Sequence, residues 1–360
     1  MFLVNLYCLF FAFYGSIIKK QEKLNPATIQ TPRIAVIAPL LIGDTLMSIS
    51  LIAKLRHSYP FSPILLICGQ PSADLLSFGP YGIKTGAIRL KSLSSMRNIR
   101  ALGPFDLGYA LGENRFALIA KAIGCSRVVA LAGGRPFWRN VFIDRAVRID
   151  QGLSNIYTQQ AQLVGESSLQ LRFDEDEFSP LNKSVDRSLI TKPHYVLLHL
   201  GSSRRSKQWA SGNWRTLISA LDRMGYRLVI AVGPGEQELI TSVDPKSTHQ
   251  AFVGGSNLEP FWRVVKDAAA LVCVDSAAAH IGKLTGTLTI CFYGPGGKAL
   301  TGPDQFFCQG RFFGLTLKSL PDKCRESVFK RTLPVRPTGE VLSDDAAIAE
   351  TVRLLNLMRT

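Results

Sequence analysis

Along almost the whole chain, short aliphatic and β-branched runs alternate with stretches whose apolar residues recur at helical spacing. The runs at 33–39, 64–68, 105–111 and 127–131, and again at 195–200, 227–232, 270–274 and 288–292, are nearly continuous in apolar character. Strands of that kind are covered on both faces, and a strand–helix–strand succession joins parallel neighbours through helical crossovers. The predicted class is therefore α/β, with doubly wound, Rossmann-like sheets. A loop at 40–44 leads to a predicted helix ending near 57. Further helices are predicted at 71–78, 113–123 and 211–224, from 236, at 258–268 and at 344–357.

A length of 360 residues suits two domains. The stretch 172–192 is acidic, then basic, and contains Pro180, with Pro193 just beyond; it is predicted as the inter-domain linker. This division gives a hydrophobic tail and linker at 1–31, a first domain at 32–180, a second at 181–343 and a terminal helix at 344–360. Residues 1–18 are almost all apolar and precede Lys19, Lys20 and Lys23. A secretory signal would carry its positive charge before the apolar core. The stretch is at the short limit for a spanning helix. Positive charge on its C-terminal side favours keeping the rest of the chain cytoplasmic. Two readings stay open: a membrane-associating tail, or residues translated from an upstream start.

Lys and Arg number 42 against 27 Asp and Glu, a formal charge of +15. Nucleic acid, an anionic membrane surface and an anionic substrate could each explain that excess. The basic residues are dispersed, with small clusters at 204–207 and 318–331. There is no zinc-finger spacing, RNA-binding strand pattern or basic arm, so nucleic acid is the weakest of the three. The cysteines at 8, 68, 125, 273, 291, 308 and 324 form no C-x-x-C pair. Cys68, Cys273 and Cys291 fall in strand-like runs, as small buried hydrophobes do. Neither a metal site nor a disulfide framework is predicted, and a reducing compartment fits better.

Two turns carry candidate chemistry. In the first, the run ending at Val274 feeds Asp275, Ser276 and then Ala277, Ala278, Ala279 and His280. A strand entering a helix there exposes unpaired N–H groups suited to a phosphate or diphosphate, with Ser276 predicted as N-cap and His280 one turn in. In the second, the run ending at Leu200 leads to Ser202, Ser203, Lys207 and Trp209, offering hydroxyls, a cation and an aromatic ring where open α/β sheets bind ligands. Either His280 or Lys207, taken alone, reads as easily as a packed histidine or a solvated lysine. Asp44, at the end of the first strand, reads as a helix N-cap or as a carboxylate placed to take a proton from a substrate hydroxyl. Asp275 has the same two readings, and His57 and His194 have none. Gly233 and Gly235 lack a third glycine, Lys298 is followed by Ala299, and Gly43 stands alone. Dinucleotide and P-loop fingerprints are thus absent.

Three blocks taken together resemble glycosyltransferase family 9, the bacterial ADP-heptose:lipopolysaccharide heptosyltransferases. The first runs from Arg33 through Gly43-Asp44 to Tyr59-Pro60. The second runs from His199 through Ser202, Ser203 and Lys207 to Trp209, with Val232 to Glu236 downstream. The third runs from Leu271 through Asp275, Ser276 and His280 to Pro295. The resemblance implies a GT-B architecture: two Rossmann-like domains facing a central cleft, with acceptor in the N-terminal one and donor in the C-terminal one. It also implies inverting transfer without a metal or other cofactor, from a nucleotide-diphosphate sugar, ADP-heptose, to a lipopolysaccharide core or related glycan. By the same resemblance Asp44 is the general base. Ser202, Ser203 and Lys207 meet the donor diphosphate, Glu236 lies near the nucleoside or ribose, and Asp275, Ser276, Ala277 and His280 line the sugar and phosphates. Ala277 departs from the family, which usually has glycine there. The expected partners are the donor, an anionic glycolipid acceptor and the cytoplasmic face of the inner membrane, with the protein cytoplasmic and peripheral. Two alternatives stay open: a nucleotide-sugar binder without catalysis, and a glycosyltransferase using another donor for another surface glycan. A third, a membrane-anchored scaffold, would place the function in residues 1–30.

Overall fold

A computed structural model describes residues 2–18, 31–148, 155–165, 172–183, 195–302, 306–307, 310–322, 327–328, 331–332 and 339–357. Lys19, Lys20 and Lys23, the expected linker beyond residue 183, His194 and part of the basic cluster at 318–331 lie outside them. The chain forms two compact units, residues 1–171 with 326–333, and residues 172–325 with 334–360.

The first unit holds a parallel sheet of β1 (Ile34–Ala38), β2 (Ile64–Cys68), β3 (Lys84–Ala87), β4 (Phe105–Ala110), β5 (Cys125–Leu131) and β6 (Arg145–Val147). Their order is β3-β2-β1-β4-β5-β6. Ile34 pairs in register with Ile64 on one side and Leu107 on the other. All five β1 residues are buried, as expected for a central strand with helices on both faces. After β1 the chain winds outward through β2 and β3, then returns to β1's other side as β4. The space beyond the C-terminal ends of β1 and β4 is thus the topological switch point, where open α/β sheets place their ligands.

The second unit repeats the plan with β7 (Val196–His199), β8 (Leu228–Val232), β9 (Gln250–Val253), β10 (Ala270–Val274), β11 (Leu288–Tyr293) and β12 (Phe312–Leu317). A small antiparallel pair, β13 (Ser327–Val328) and β14 (Arg331–Thr332), groups with the first unit. β15 (Val341–Leu342) then completes the order β15-β12-β11-β10-β7-β8-β9. Here the switch point falls between β7 and β10, whose register pairs Val196 with Ala270 and His199 with Cys273. The core gathers Trp214, Leu217 and Leu221 from the helix Ser211–Arg223, Ala347 and Leu354 from the helix Asp344–Asn356, and the apolar residues of β7, β8, β10 and β11. Cys68, Cys273 and Cys291 are buried free thiols.

Four expectations need correction. The helix predicted from 45 to 57 is two helices, Ile42–Met47 and Ile49–Ser58, and the first begins within the predicted loop. They part at Ser48, whose Oγ donates to the Thr45 carbonyl at 2.6 Å, a side-chain bond of the kind that bends helices. The stretch starting at Arg172 is no free linker. Phe173, Phe178 and Leu181 are buried, and Phe178 stacks on Trp262 with ring centroids 5.5 Å apart. Three apolar anchors among charges are enough to draw it into the second unit. Residues 2–18 are not a tail outside the fold. Phe2–Ile18 is a helix packed on the helix Arg115–Ala122, with Val4, Cys8 and Ala12 in the first unit's core. Finally, β3, β6, β9, β12 and the two-residue strands β13, β14 and β15 are not among the predicted strands. The first three are sheet edges of mixed polarity, such as Lys-Thr-Gly-Ala in β3. Among the described residues no helix is long and apolar enough to cross a membrane.

Candidate active site

In the second unit, the loops after β7 and β10 meet at the switch point through an ion pair. Lys207 Nζ donates to Asp275 Oδ2 at 2.9 Å, with the lysine side chain 22% and the aspartate 7% exposed. Thr301 Oγ1 donates to the other carboxylate oxygen at 3.2 Å. Asp275 is itself fixed at the strand end, its N–H bonded to the Phe292 carbonyl at 3.1 Å. The ammonium is thus held beside the start of the helix Ala277–Thr285, whose free N–H groups carry the equivalent of about half a positive charge. A lysine and a helix N-terminus at one point make a site for an anion.

Ser276 occupies the N-cap position with an extended backbone (φ −147°, ψ 179°), but its side chain makes no capping bond. Its Oγ is inaccessible and has no hydrogen-bond partner. Buried hydroxyls are normally satisfied, so this one has hydrogen-bonding capacity in reserve at the anion site. Ala277 is the first residue of the helix and is half-buried. It is not among the described non-glycine residues at positive φ, so the backbone at this position does not require glycine. His280 is buried one turn in.

The loop after β7 is clamped by Glu236. Its Oε1 accepts from the Ser202 N–H at 3.0 Å and from the Gln208 amide at 3.2 Å, and its Oε2 accepts from the Gly233 N–H at 2.9 Å. A Cβ on Gly201 would lie 1.9 Å from Oε2, so a side chain there would displace this carboxylate from its three hydrogen bonds. Ser202 is buried, with Oγ 3.5 Å from the Asp275 carbonyl, whereas Ser203 is exposed. Trp209 corrects an expectation: it offers no ring to a ligand. Its indole is buried against Phe292 and Trp214, at 4.7 Å and 5.2 Å between centroids, and its Nε1 donates to Asp344 Oδ1 at 2.7 Å. At the end of β7, burial pushes the His199 imidazole down to about 4, against weaker upward pulls from the backbone of His199 and Gly201.

In the first unit the candidate residue is Asp44. It lies in the first turn of Ile42–Met47, where Leu41 takes the N-cap position, so the N-cap reading of Asp44 fails. The helix is moored to the end of β1 by Thr45 Oγ1 on the Ala38 carbonyl at 3.3 Å. This places a half-buried carboxylate at the first sheet's switch point. Among the described residues no group of three or more His, Cys, Asp or Glu is arranged to hold a metal ion.

Sequence reasoning passed over Gln208 and Thr301, which complete the Glu236 and Asp275 networks. Gln208 stood inside the Lys207–Trp209 block and could have been found there. Thr301, 26 residues beyond Asp275, carried no local signal.

The family profile of glycosyltransferase family 9 (heptosyltransferase) matches residues 138–330. Lipopolysaccharide heptosyltransferase 3 of Escherichia coli strain K12 is 22% identical over 283 residues, 70% of this chain and 79% of the relative. The solved E. coli heptosyltransferase WaaC with ADP aligns with a TM-score of 0.68 at 16% identity, covering 90% of this chain and 99% of that one. A glycosyl transferase family 9 structure from Veillonella parvula gives 0.67 at 19% identity, covering 91% and 97%. Its two parallel-sheet α/β domains have the GT-B fold of those structures. With the anion site and the family profile falling on the same half of the sequence, the chain belongs to glycosyltransferase family 9, the heptosyltransferases, and is a glycosyltransferase.

Proposed function

We propose that the protein transfers a heptosyl group from ADP-heptose to a hydroxyl of a lipopolysaccharide core or related anionic glycan, inverting the anomeric centre and using no metal. The observation that carries this reading is the Lys207–Asp275 pair beside the N-terminus of Ala277–Thr285. The remaining N–H donors of its ammonium and the helix N–H groups would meet the negative charge that a diphosphate leaving group develops. A heptosyltransferase of the same fold, solved with ADP, supports the choice of nucleotide. The similarity to lipopolysaccharide heptosyltransferase 3 supports the acceptor class, and the surplus of 42 basic over 27 acidic residues suits an acidic glycolipid at an anionic membrane face.

In this mechanism the acceptor oxygen attacks the anomeric carbon from the face opposite the diphosphate while Asp44 takes its proton. The bond from that carbon to the phosphate oxygen breaks and its electron pair leaves with ADP. Lys207, the Ser202 and Ser203 hydroxyls and the backbone N–H groups at Ala277 stabilise the departing charge. Lysine and helix N–H groups supply the charge that a divalent cation would otherwise bring. The test is transfer from ADP-heptose to a core acceptor by wild type and Asp44→Asn, each with and without EDTA. Asp44→Asn should bind ADP normally and lose about 10²–10⁴-fold in turnover. EDTA should leave the wild-type rate unchanged. Near wild-type turnover by Asp44→Asn, a strict metal requirement, or faster transfer from another nucleotide sugar would count against the reading.

A further inference from the structure

On the N-terminal helix, Val4, Cys8 and Ala12 face the protein, while Leu3, Leu6, Phe10, Phe13 and Tyr14 are each at least half exposed. At 3.6 residues per turn the exposed five fall within an arc of about 100°, opposite the buried three. The helix Phe2–Ile18 contains no charged residue. Its outer stripe continues onto a second element: Phe13 meets Phe142 at 5.6 Å between centroids, and Phe142 meets Trp138 at 6.4 Å. The 3₁₀ turn Phe137–Phe142 exposes Phe137, Trp138 and Val141, the last at 72%. This turn is held from beneath. The buried Asn114 amide donates to the Gly134 and Pro136 carbonyls at 3.0 and 2.8 Å and to Asn140 Oδ1 at 3.0 Å. The apolar side chains are therefore presented on a fixed support.

Cations border the face. Arg135 lies 5.5 Å over the Phe137 ring and Arg139 lies 5.2 Å over Trp138. Large apolar side chains with arginines at one border, and Trp and Tyr among them, match the boundary between anionic headgroups and acyl chains. A spanning arrangement does not fit. Among the described residues no helix is long and apolar enough to cross a membrane, and one side of this helix is committed to the protein.

We propose that the outer face of the N-terminal helix, together with the turn Phe137–Phe142, is a membrane-docking platform that lies flat in the headgroup region of an anionic bilayer. The proposal rests on the membrane-surface part of the function given above and names the surface responsible. Of the four tryptophans, Trp209, Trp214 and Trp262 are at most 4% exposed and Trp138 is 51% exposed, so Trp138 reports on the platform.

The full-length protein is mixed with phosphatidylcholine vesicles, with and without phosphatidylglycerol, and binding is read by co-sedimentation and by quenching of Trp138 with brominated acyl chains. Binding to the anionic vesicles with quenching is expected, and Trp138→Phe should abolish the quenching. Phe10→Glu should weaken partitioning at least about tenfold. Arg135→Gln should weaken it about fivefold, on anionic vesicles only. Phe10→Glu and Arg135→Gln should keep the wild-type melting temperature and transfer sugar normally to a detergent-dispersed acceptor, because the altered side chains lie on this outer face. No vesicle binding by wild type, binding without quenching of Trp138, or full binding by Phe10→Glu would overturn the platform. So would a stable dimer that Phe10→Glu dissociates while vesicle binding persists, since the face would then serve a second copy of the chain. Vesicle binding without sugar transfer would sink the proposed function and leave the platform standing; transfer without vesicle binding would do the reverse.

Discussion

Replacing Lys207 by Met keeps an apolar stem and removes the charge, which should separate stability from donor binding. Asp275 is only 7% exposed, so the substitution leaves a nearly buried carboxylate without its cation. Breaking a fully buried pair costs about 3–5 kcal/mol, and an exposed one contributes at most about 1 kcal/mol. With the lysine at 22% exposure the cost should fall between, about 2 kcal/mol, which lowers the melting temperature by about 4–8 °C. The double variant Lys207→Met/Asp275→Asn removes both charges, and Thr301 Oγ1 can still bond the amide oxygen, so most of that loss should return. Donor binding should behave differently. A charge-assisted hydrogen bond to a diphosphate is worth about 1.5–3 kcal/mol, or about 10- to 150-fold in affinity. The double variant should not recover it. Differential scanning calorimetry gives the first quantity and titration calorimetry with ADP the second. If the single variant melts early yet binds ADP within about twofold of wild type, the lysine is a structural cation only and the anion site has been misassigned.

Two further outcomes follow from the same region. Ala277→Gly should change ADP-heptose affinity by less than about tenfold, because the first position of the helix does not require glycine and the methyl is one small group; a much larger gain, measured by titration, would show a site shaped for a different donor. The His199 imidazole is held to about 4 by burial, below its ordinary value near 6.5, so the unfolded chain binds more protons between those values and stability must rise with pH across that window. Acidifying from pH 7 to 4 should therefore cost about 3 kcal/mol through this residue. His199→Gln should flatten the dependence of denaturation midpoint on pH in that range, and an unchanged slope would refute the assignment.

The central strands were legible because they are covered on both faces, and their residues leave little choice. Val272, Cys273 and Val274 read as strand from composition alone and are fully buried in β10. The edges were not legible. β9 is half-exposed along its length, and its Gln-Ala-Phe-Val has no pattern to distinguish it from a loop. What makes it a strand is the pairing offered by β8, from Val229 with Gln250 to Val232 with Val253. The N-terminal helix shows a different limit. Its composition gave apolarity but not direction, since nearly every residue is hydrophobic. Only the groove offered by the helix Arg115–Ala122 decides that Val4, Cys8 and Ala12 turn inward.

The candidate site divides along the same line. Residues read as chemistry from their place after a buried strand, Lys207 and Asp275, are joined by the fold into one ion pair, because the order β10-β7 sets their two loops side by side. Sequence could not supply that adjacency across 68 positions. Glu236 shows what adjacency changes. By position it reads as a ligand contact, yet its carboxylate collects the N–H groups of Ser202 and Gly233 and the Gln208 amide. It ties the loop after β8 to the loop that carries Lys207, and it occupies the space a side chain on Gly201 would fill. A group that fixes both loops sets where the ammonium stands. Glu236 is therefore a positioning residue for Lys207.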